Sequence, residues 1–281
     1  MSKKQFAVIG HPIGHTMSPF IHNRLFALAG VEAEYHVMDI PPESLEQAVP
    51  ELKKLDGFNI TIPRKSAIIP FLDELDKKAA AYGSVNTVVN GETSVGYTTD
   101  GEGFAIALRE NGIPLKGRVV ILGSGGVART MAYEALIAGC AVTLAVRPSD
   151  LLQAARLAGE ILTTMHNPAI STCTIDRLEG KVDLLVNATP VGMYPEINAM
   201  PVSGVVLSHC ASVFDAVYNP VETLLMKAAR ANGARVLGGM PMLVWQAAAA
   251  HNIWDGSTYK TSDIHELCEE AGTELARQFA E

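Results

Sequence analysis

Cysteine is scarce and scattered in this chain: Cys140, Cys173, Cys210 and Cys268 are the 4 among 281 residues, and none forms a C-x-x-C pair. That argues against a disulfide framework and against a thiolate metal site, leaving reduced thiols. Positive charge is short too. The 22 Lys and Arg against 30 Asp and Glu give a net charge of −8. Such a balance lacks the basic surface that nucleic-acid binding needs. No apolar run approaches the roughly 18 residues of a membrane span. Met1, Ser2, Lys3, Lys4 and Gln5 lead straight into an apolar strand without the h-region of a secretory signal, so a cytoplasmic protein is expected. His11, His15 and His22 straddle Pro12 and Gly14 and share no helical face, so no metal is expected. Low-complexity segments and repeats are missing as well. The 48% hydrophobic content is ample for one large domain or two ordinary ones.

The chain alternates apolar strand patterns with helical ones. Strands are expected at residues 5–10, 34–39 and 57–61, and Ser18-Pro19 reads as the N-cap and first position of a helix. A second helix runs from Ser44 toward Leu55, with Pro50 interrupting its pattern. Residues 85–89 and 94–97 flank Asn90-Gly91, a strong hairpin signal. Residues 118–122 form a continuous apolar strand typical of a sheet buried on both faces. Further strands are expected at 141–145, 182–187, 213–217 and 235–237, with helices between them, the last starting at Asn219-Pro220. Ile264, Leu267, Cys268, Ala271, Leu275 and Phe279 recur at helical spacing near the end. Strand–helix alternation of this kind means an α/β fold with a doubly wound sheet.

Several motifs bear on chemistry. Asn59-Ile60-Thr61-Ile62-Pro63-Arg64-Lys65 ends an apolar strand at a proline and sets a lysine just beyond it. A lysine held at a strand end can serve as a positioned acid or base. Gly123-Ser124-Gly125-Gly126-Val127-Ala128 fits G-x-G-x-x-G/A between a strand and a helix, where glycine lets the backbone approach a pyrophosphate. At the end of the next strand an NAD site would carry an acidic residue; this chain has Val146-Arg147-Pro148 instead. The Arg147 guanidinium suits a 2′-phosphate, or alternatively a surface ion pair. Thr16 and Ser18 precede a helix and could bind a carboxylate, or Ser18 could simply cap that helix. Asn86, Thr99 and Asp100 lie at the ends of the hairpin strands, and Gln246 interrupts an apolar helical stretch. Each alone could be a turn or core residue bonding its own backbone.

In this order the motifs resemble those of the shikimate dehydrogenase family, which includes the quinate/shikimate dehydrogenases. The family's H-S-x-S-P is similar to His15-Thr16-Met17-Ser18-Pro19, and its N-x-T-x-P-x-K to residues 59–65. Its V-N-T resembles Val85-Asn86-Thr87, and its N-T-D-G resembles Thr98-Thr99-Asp100-Gly101. G-x-G-G-x-x-R matches residues 123–129, and N-A-T-P-x-G-M matches residues 187–193. Asp215, Tyr218 and Pro220 fit D-x-x-Y-x-P, and Met242, Leu243 and Gln246 fit M-L-x-x-Q.

The resemblance covers nearly the whole chain and implies two α/β domains. Residues 1–100 with 239–281 would form a substrate domain completed by C-terminal helices, and 101–238 an inserted Rossmann NADP-binding domain. It implies reversible NADPH-dependent reduction of 3-dehydroshikimate to shikimate, a step of aromatic amino acid biosynthesis on the chorismate pathway. Lys65 would act as proton donor and acceptor, held by Asp100. Thr16, Ser18 and Tyr218 would bind the substrate carboxylate, and Thr61, Asn86 and Gln246 its ring hydroxyls. Gly123, Ser124, Gly125, Gly126, Val127, Val146, Arg147, Pro148, Ala216 and Gly239 would hold the cofactor.

The chain departs from the family pattern in places. Thr16 stands where many members carry serine, and Thr98 replaces the usual asparagine. Leu151 occupies the place of a second basic residue that often completes the phosphate clamp. Two alternatives therefore remain: a quinate/shikimate dehydrogenase using NAD or both cofactors, and a non-catalytic dinucleotide- or shikimate-binding regulator. Retention of both Lys65 and Asp100 argues against the regulator. The expected partners are small molecules, with no nucleic acid or membrane, and the protein would be a monomer or homodimer.

Overall fold

The computed structural model describes residues 3–14, 16–61, 64–166 and 169–279. His15, Ile62 and Pro63, which belong to two of the motifs above, lie outside the described residues. The chain divides into two compact units: Met1–Asp100 with Val244–Leu275, and Gly101–Leu243 with Ala276–Glu281.

In the first unit the chain runs through β1 (Lys4–Gly10), α1 (Ser18–Ala29), β2 (Ala33–Asp39), α2 (Leu45–Leu52), β3 (Gly57–Ile60), β4 (Glu74–Leu75), α3 (Lys77–Tyr82), β5 (Thr87–Asn90) and β6 (Ser94–Tyr97). The strands form a sheet in the order β2-β1-β3-β5-β6-β4. β1 pairs in parallel with β2 and β3, whereas β5 runs antiparallel to β3 and β6. Successive residues of β1 face opposite sides. Phe6 and Val8 pack with Phe26, Tyr35 and Trp254, while Ala7 and Ile9 pack with Leu52, Phe58 and Ile60. Both faces are therefore core, and each fully buried large apolar side chain contributes roughly 1.5–3 kcal/mol.

α4 (Asp100–Glu110) carries the chain into the second unit. There follow β7 (Arg118–Leu122), α5 (Gly126–Ile137), β8 (Ala141–Val146), α6 (Leu151–Met165), β9 (Ile170–Thr174), β10 (Leu184–Asn187), α7 (Gly204–Leu207), β11 (Ser212–Asp215), α8 (Leu224–Ala231) and β12 (Arg235–Leu237). All six strands are parallel, in the order β12-β11-β10-β7-β8-β9. Read from the other edge, the strands follow the 3-2-1-4-5-6 order of a Rossmann sheet. α9 (Met240–Asp255) and α10 (Thr261–Gln278) complete the chain. The division between units falls inside α9, after Leu243, a few residues beyond the boundary expected at 239.

Three local expectations need correction. β9 and the short β4 are not expected from the sequence. The helix expected at Asn219-Pro220 starts at Leu224, because the Thr223 side chain accepts from Met226 N at 3.2 Å and supplies the N-cap. Ser18 is the first residue of α1 and not its cap; Met17 holds that position without a side-chain bond. Among the described residues no helix is long and apolar enough to cross a membrane.

Candidate active site

Lys65 follows β3 on a turn in which Arg64 N–H donates to Thr61 O at 3.1 Å. Its own carbonyl accepts from Val85 N–H at 2.7 Å, which fixes the lysine backbone against the segment entering β5. From there Lys65 Nζ donates to Asp100 Oδ2 at 2.5 Å. The pair is largely shielded, with side-chain exposures of 22% and 13%. Asp100 opens α4, and the positive end of a helix favours a carboxylate there.

Asn86 organises the other side of the pair. Its backbone is held twice: Ile60 N–H donates to Asn86 O at 2.9 Å, and Asn86 N–H donates to Tyr97 O at 3.0 Å. Asn86 Nδ2 lies 2.9 Å from Asp100 Oδ1, 2.9 Å from Thr99 Oγ1 and 3.2 Å from Gln246 Oε1, while its Oδ1 accepts from Thr99 N–H at 2.8 Å. An amide NH2 has two hydrogens, so these acceptors already occupy it. Gln246, on α9, also accepts from Thr99 Oγ1 at 3.4 Å. Lys65, Asp100, Asn86 and Gln246 thus form one network centred on Asn86, and Thr99, which has no assigned role in the sequence analysis, is bonded to both Asn86 and Gln246.

Buried side chains extend this network away from the lysine. Asn59, opposite Thr87 in the β3–β5 register, donates to Thr87 Oγ1 and to Asn86 O, each at 3.1 Å. Tyr35 donates to Asn59 Oδ1 at 2.6 Å. A polar residue inside the otherwise apolar β3 is the available signal for this support. Thr16 and Ser18 meet each other: Thr16 Oγ1 donates to Ser18 Oγ at 3.1 Å and accepts Ser18 N–H at 3.2 Å, a local hydroxyl turn. Thr61 is half-buried and tied by its N–H to Ile9 O at 3.0 Å. Tyr218 lies in the second unit, where burial pushes its phenol pKa up.

The second unit carries the glycine turn. Gly123 has φ +105, a conformation that favours glycine, and a Cβ there would meet Thr189 Cγ2 at 3.0 Å. α5 then starts at Gly126 with no side-chain cap and no acidic residue in its first turn. Its leading N–H groups are thus suited to an anion. Gly123, Ser124 and Gly125 line a cleft of about 480 Å³ together with Val146, Arg147 and the 188–191 loop. Such a volume falls in the range of about 300–1,000 Å³ for small-molecule sites. Val127 stands in the first turn of α5, and Pro148 opens a 3-10 turn at Pro148–Asp150.

Within that turn Arg147 Nε donates to Asp150 Oδ2 at 2.7 Å. The arginine side chain is 76% exposed. The guanidinium is the first cause that holds the Asp150 carboxyl below its ordinary range. An open glycine turn, a bare helix N-terminus and an exposed guanidinium fit a phosphorylated dinucleotide. Gly239 approaches a backbone: a Cβ on it would lie 2.3 Å from Ala216 O.

Asn187 and Asp215, neighbours in the β10–β11 register, pin the loops that follow these strands. Asn187 Nδ2 donates to Asp215 Oδ1 at 2.9 Å, and Asn187 Oδ1 accepts from Thr189 Oγ1 at 2.7 Å. Asp215 also accepts from Thr223 Oγ1 at 2.6 Å and Val217 N–H at 3.1 Å. Burial nevertheless pushes its carboxyl pKa upward. Thr189, Pro190 and Val191 are visible in the sequence only as part of a motif and are not assigned there to the cofactor. No group of His, Cys, Asp and Glu suited to a metal ion occurs among the described residues.

The fold and these side chains define a class: a two-unit α/β protein with a Rossmann dinucleotide cleft in one unit and a lysine–aspartate pair in the other. The family model described as "Shikimate dehydrogenase substrate binding domain" matches residues 8–88. The shikimate dehydrogenase (NADP(+)) of Caldanaerobacter subterraneus subsp. tengcongensis is 37% identical over 94% of this chain and 95% of its own length. Shikimate 5-dehydrogenase from Thermus thermophilus, solved with NADP(H) and shikimate, superposes with a TM-score of 0.87 at 34% identity, covering 95% of this chain and 99% of that one. The Listeria monocytogenes shikimate 5-dehydrogenase, in complex with shikimate and NAD, gives 0.85 at 30% identity, covering 94% and 96%. The chain belongs to the shikimate dehydrogenase family.

Proposed function

We propose that the protein is an NADP-dependent shikimate dehydrogenase, reducing the 3-keto group of 3-dehydroshikimate to shikimate and running in reverse with NADP. The Lys65–Asp100 pair carries this reading, because a sensor has no need of a held proton donor. When bound, NADPH supplies the hydride. Lys65 supplies the proton: its ammonium donates to the keto oxygen as that oxygen takes the electron pair of the C=O bond, and recovers the proton in the oxidation direction. Asp100 orients the ammonium and accepts from a substrate hydroxyl. Thr16, Ser18 and Tyr218 bind the substrate carboxylate, while Thr61, Asn86 and Gln246 contact ring hydroxyls. The second unit holds the cofactor through residues 123–127, Val146, Arg147, Pro148, Ala216 and Gly239. The protein works in the cytoplasm on diffusing small molecules.

A second reading, use of NAD as well, is favoured by the carboxylate that Asp150 places on Arg147. Rates for shikimate and quinate, each with NADP and NAD, test both readings by nicotinamide absorbance. Shikimate with NADP is expected to give the highest kcat/KM. Quinate with NAD as the best pair would overturn the first reading, and no turnover with any pair would favour a regulator.

A further inference from the structure

We infer that Asp150 is a specificity-determining residue of the cofactor cleft, weakening its hold on a ribose 2′-phosphate and so broadening it toward nucleotides without one. The inference rests on the cofactor reading given above. Arg147 and Asp150 both line the cleft, and among its described lining residues they are the one cation and the one anion. The wall offered to a phosphate is therefore neutral overall.

Two physical consequences follow. A guanidinium grips a phosphate with two parallel N–H groups, taken either from its Nε edge or from its terminal edge. Arg147 Nε is already donated to Asp150 Oδ2 at 2.7 Å, so the Nε edge is engaged. A 2′-phosphate bound to the remaining edge also sits within a side chain's reach of the Asp150 carboxylate, which repels it. A 2′-hydroxyl carries no charge and meets no such repulsion.

Beyond the favourable charge it sets at the positive end of α6, the carboxylate has little structural work that would explain its presence. Asp150 occupies the N-cap position of α6 but makes no side-chain capping bond. Its remaining contact, from Ser149 Oγ at 3.2 Å, is with a neighbour in the same turn. Asp150→Asn keeps a good N-cap residue and gives up only the attraction of the carboxylate to the helix end, so α6 is expected to stay folded.

Calorimetric titration of the full chain with 2′,5′-ADP and with 5′-AMP tests the inference. Asp150→Asn is expected to tighten 2′,5′-ADP by about three- to tenfold, with 5′-AMP changed by less than about twofold. Asp150→Glu should keep wild-type values, and added salt should shrink the gap between wild type and Asp150→Asn. Unchanged or weaker 2′,5′-ADP binding by Asp150→Asn, with 5′-AMP still bound, would overturn the inference and make Asp150 an orienting partner of Arg147. Failure of the wild type to bind either nucleotide would bring down the cofactor reading and the inference together.

Discussion

Lys65 and Asp100 form an ion pair in which each partner is held from behind. The lysine carbonyl accepts from Val85 N–H at 2.7 Å, and the second oxygen of the aspartate accepts from Asn86 Nδ2 at 2.9 Å. Neither side chain therefore has to be ordered when substrate arrives, and that is where a proton donor gains its advantage.

Replacing Lys65 by Ala tests this directly. The expected loss in kcat is about 10²- to 10⁴-fold, with a modest change in KM, because the proposed proton donor would act on charge that develops only in the transition state. Steady-state kinetics with saturating cofactor reads the split. A large rise in KM with kcat intact would make Lys65 a binding residue.

Asn86→Ala should damage both stability and rate. The substitution leaves Thr99, Asp100 and Gln246 without the donor they share, in surroundings where Asn86 is only 3% exposed. Thr99 N–H, at 1% exposure, loses its Asn86 Oδ1 acceptor in the same step, and a buried donor left unpaired costs on the order of 2 kcal/mol. Urea unfolding should show that loss with an unchanged m-value. The kcat of the folded fraction should fall too, since Asp100 loses one of its two orienting bonds. Wild-type stability would mean that water replaces the amide without loss.

How much of this is legible in the sequence differs by residue. Lys65 and Asp100 can be read because proline punctuation and hairpin signals place them at strand ends, where side chains of the same sheet converge. Gly123 is readable because its turn joins an apolar strand to a helix. Thr99 is visible at a hairpin strand end beside Asp100 but carries no assigned role in the sequence, because its importance comes from contacts with Asn86 and with Gln246, 147 residues away. The start of α8 is misplaced because Pro220 and Thr223 both signal a helix start and only the threonine bonds a helical N–H. β9, with Ser171, Thr172 and Thr174 among its five residues, lacks the apolar run that marks the inner strands.

A pH dependence of stability is expected from two buried histidines. Tyr259 OH donates to Leu25 O at 3.2 Å, so it accepts from His251 Nδ1–H at 2.8 Å. His251 Nε2 must then accept from His22 Nδ1–H at 3.0 Å. This one-way chain requires His251 to be neutral, because its Nε2 must accept; His22 donates from Nδ1 in either state, and it is burial that disfavours its charge. Burial lowers the pKa of His251 to about 4, with the Asp255 carboxylate opposing, and burial and His251 together lower that of His22. Both groups are lowered in the folded state, so the unfolded chain binds more protons below its own histidine pKa. Stability is thus full above about 6.5 and is lost as pH falls from there toward about 4. Asp73, held at about 2 chiefly by hydrogen bonds from Ser94, acts only below its ordinary 3.8, whereas the Asp215 carboxyl, raised from 3.8 by burial, acts above it with the opposite sign and in wild type and variant alike. Melting temperature against pH should slope through the window and flatten in His251→Gln; an equal slope in the variant would refute the assignment.

Gly239→Ala probes the close backbone approach in the second unit. The added Cβ would stand 2.3 Å from Ala216 O, 2.7 Å from Ala216 C and 3.0 Å from Val217 O, all rigid backbone atoms. No rotamer change relieves such a contact, so the 216–217 segment must move. Gly239 N–H donates to Val217 O at 3.1 Å, and that bond is strained by the same shift. Overpacking of this kind costs about 1–3 kcal/mol, which a lowered urea midpoint should report. Binding of NADP should weaken as well, because the displaced segment carries Ala216. The Arg147 region lies elsewhere on the unit, so 2′,5′-ADP, which has no nicotinamide, should bind Gly239→Ala as it binds the wild type. Equal weakening of both ligands would instead mean that the substitution disturbs the whole sheet edge and not a local nicotinamide contact.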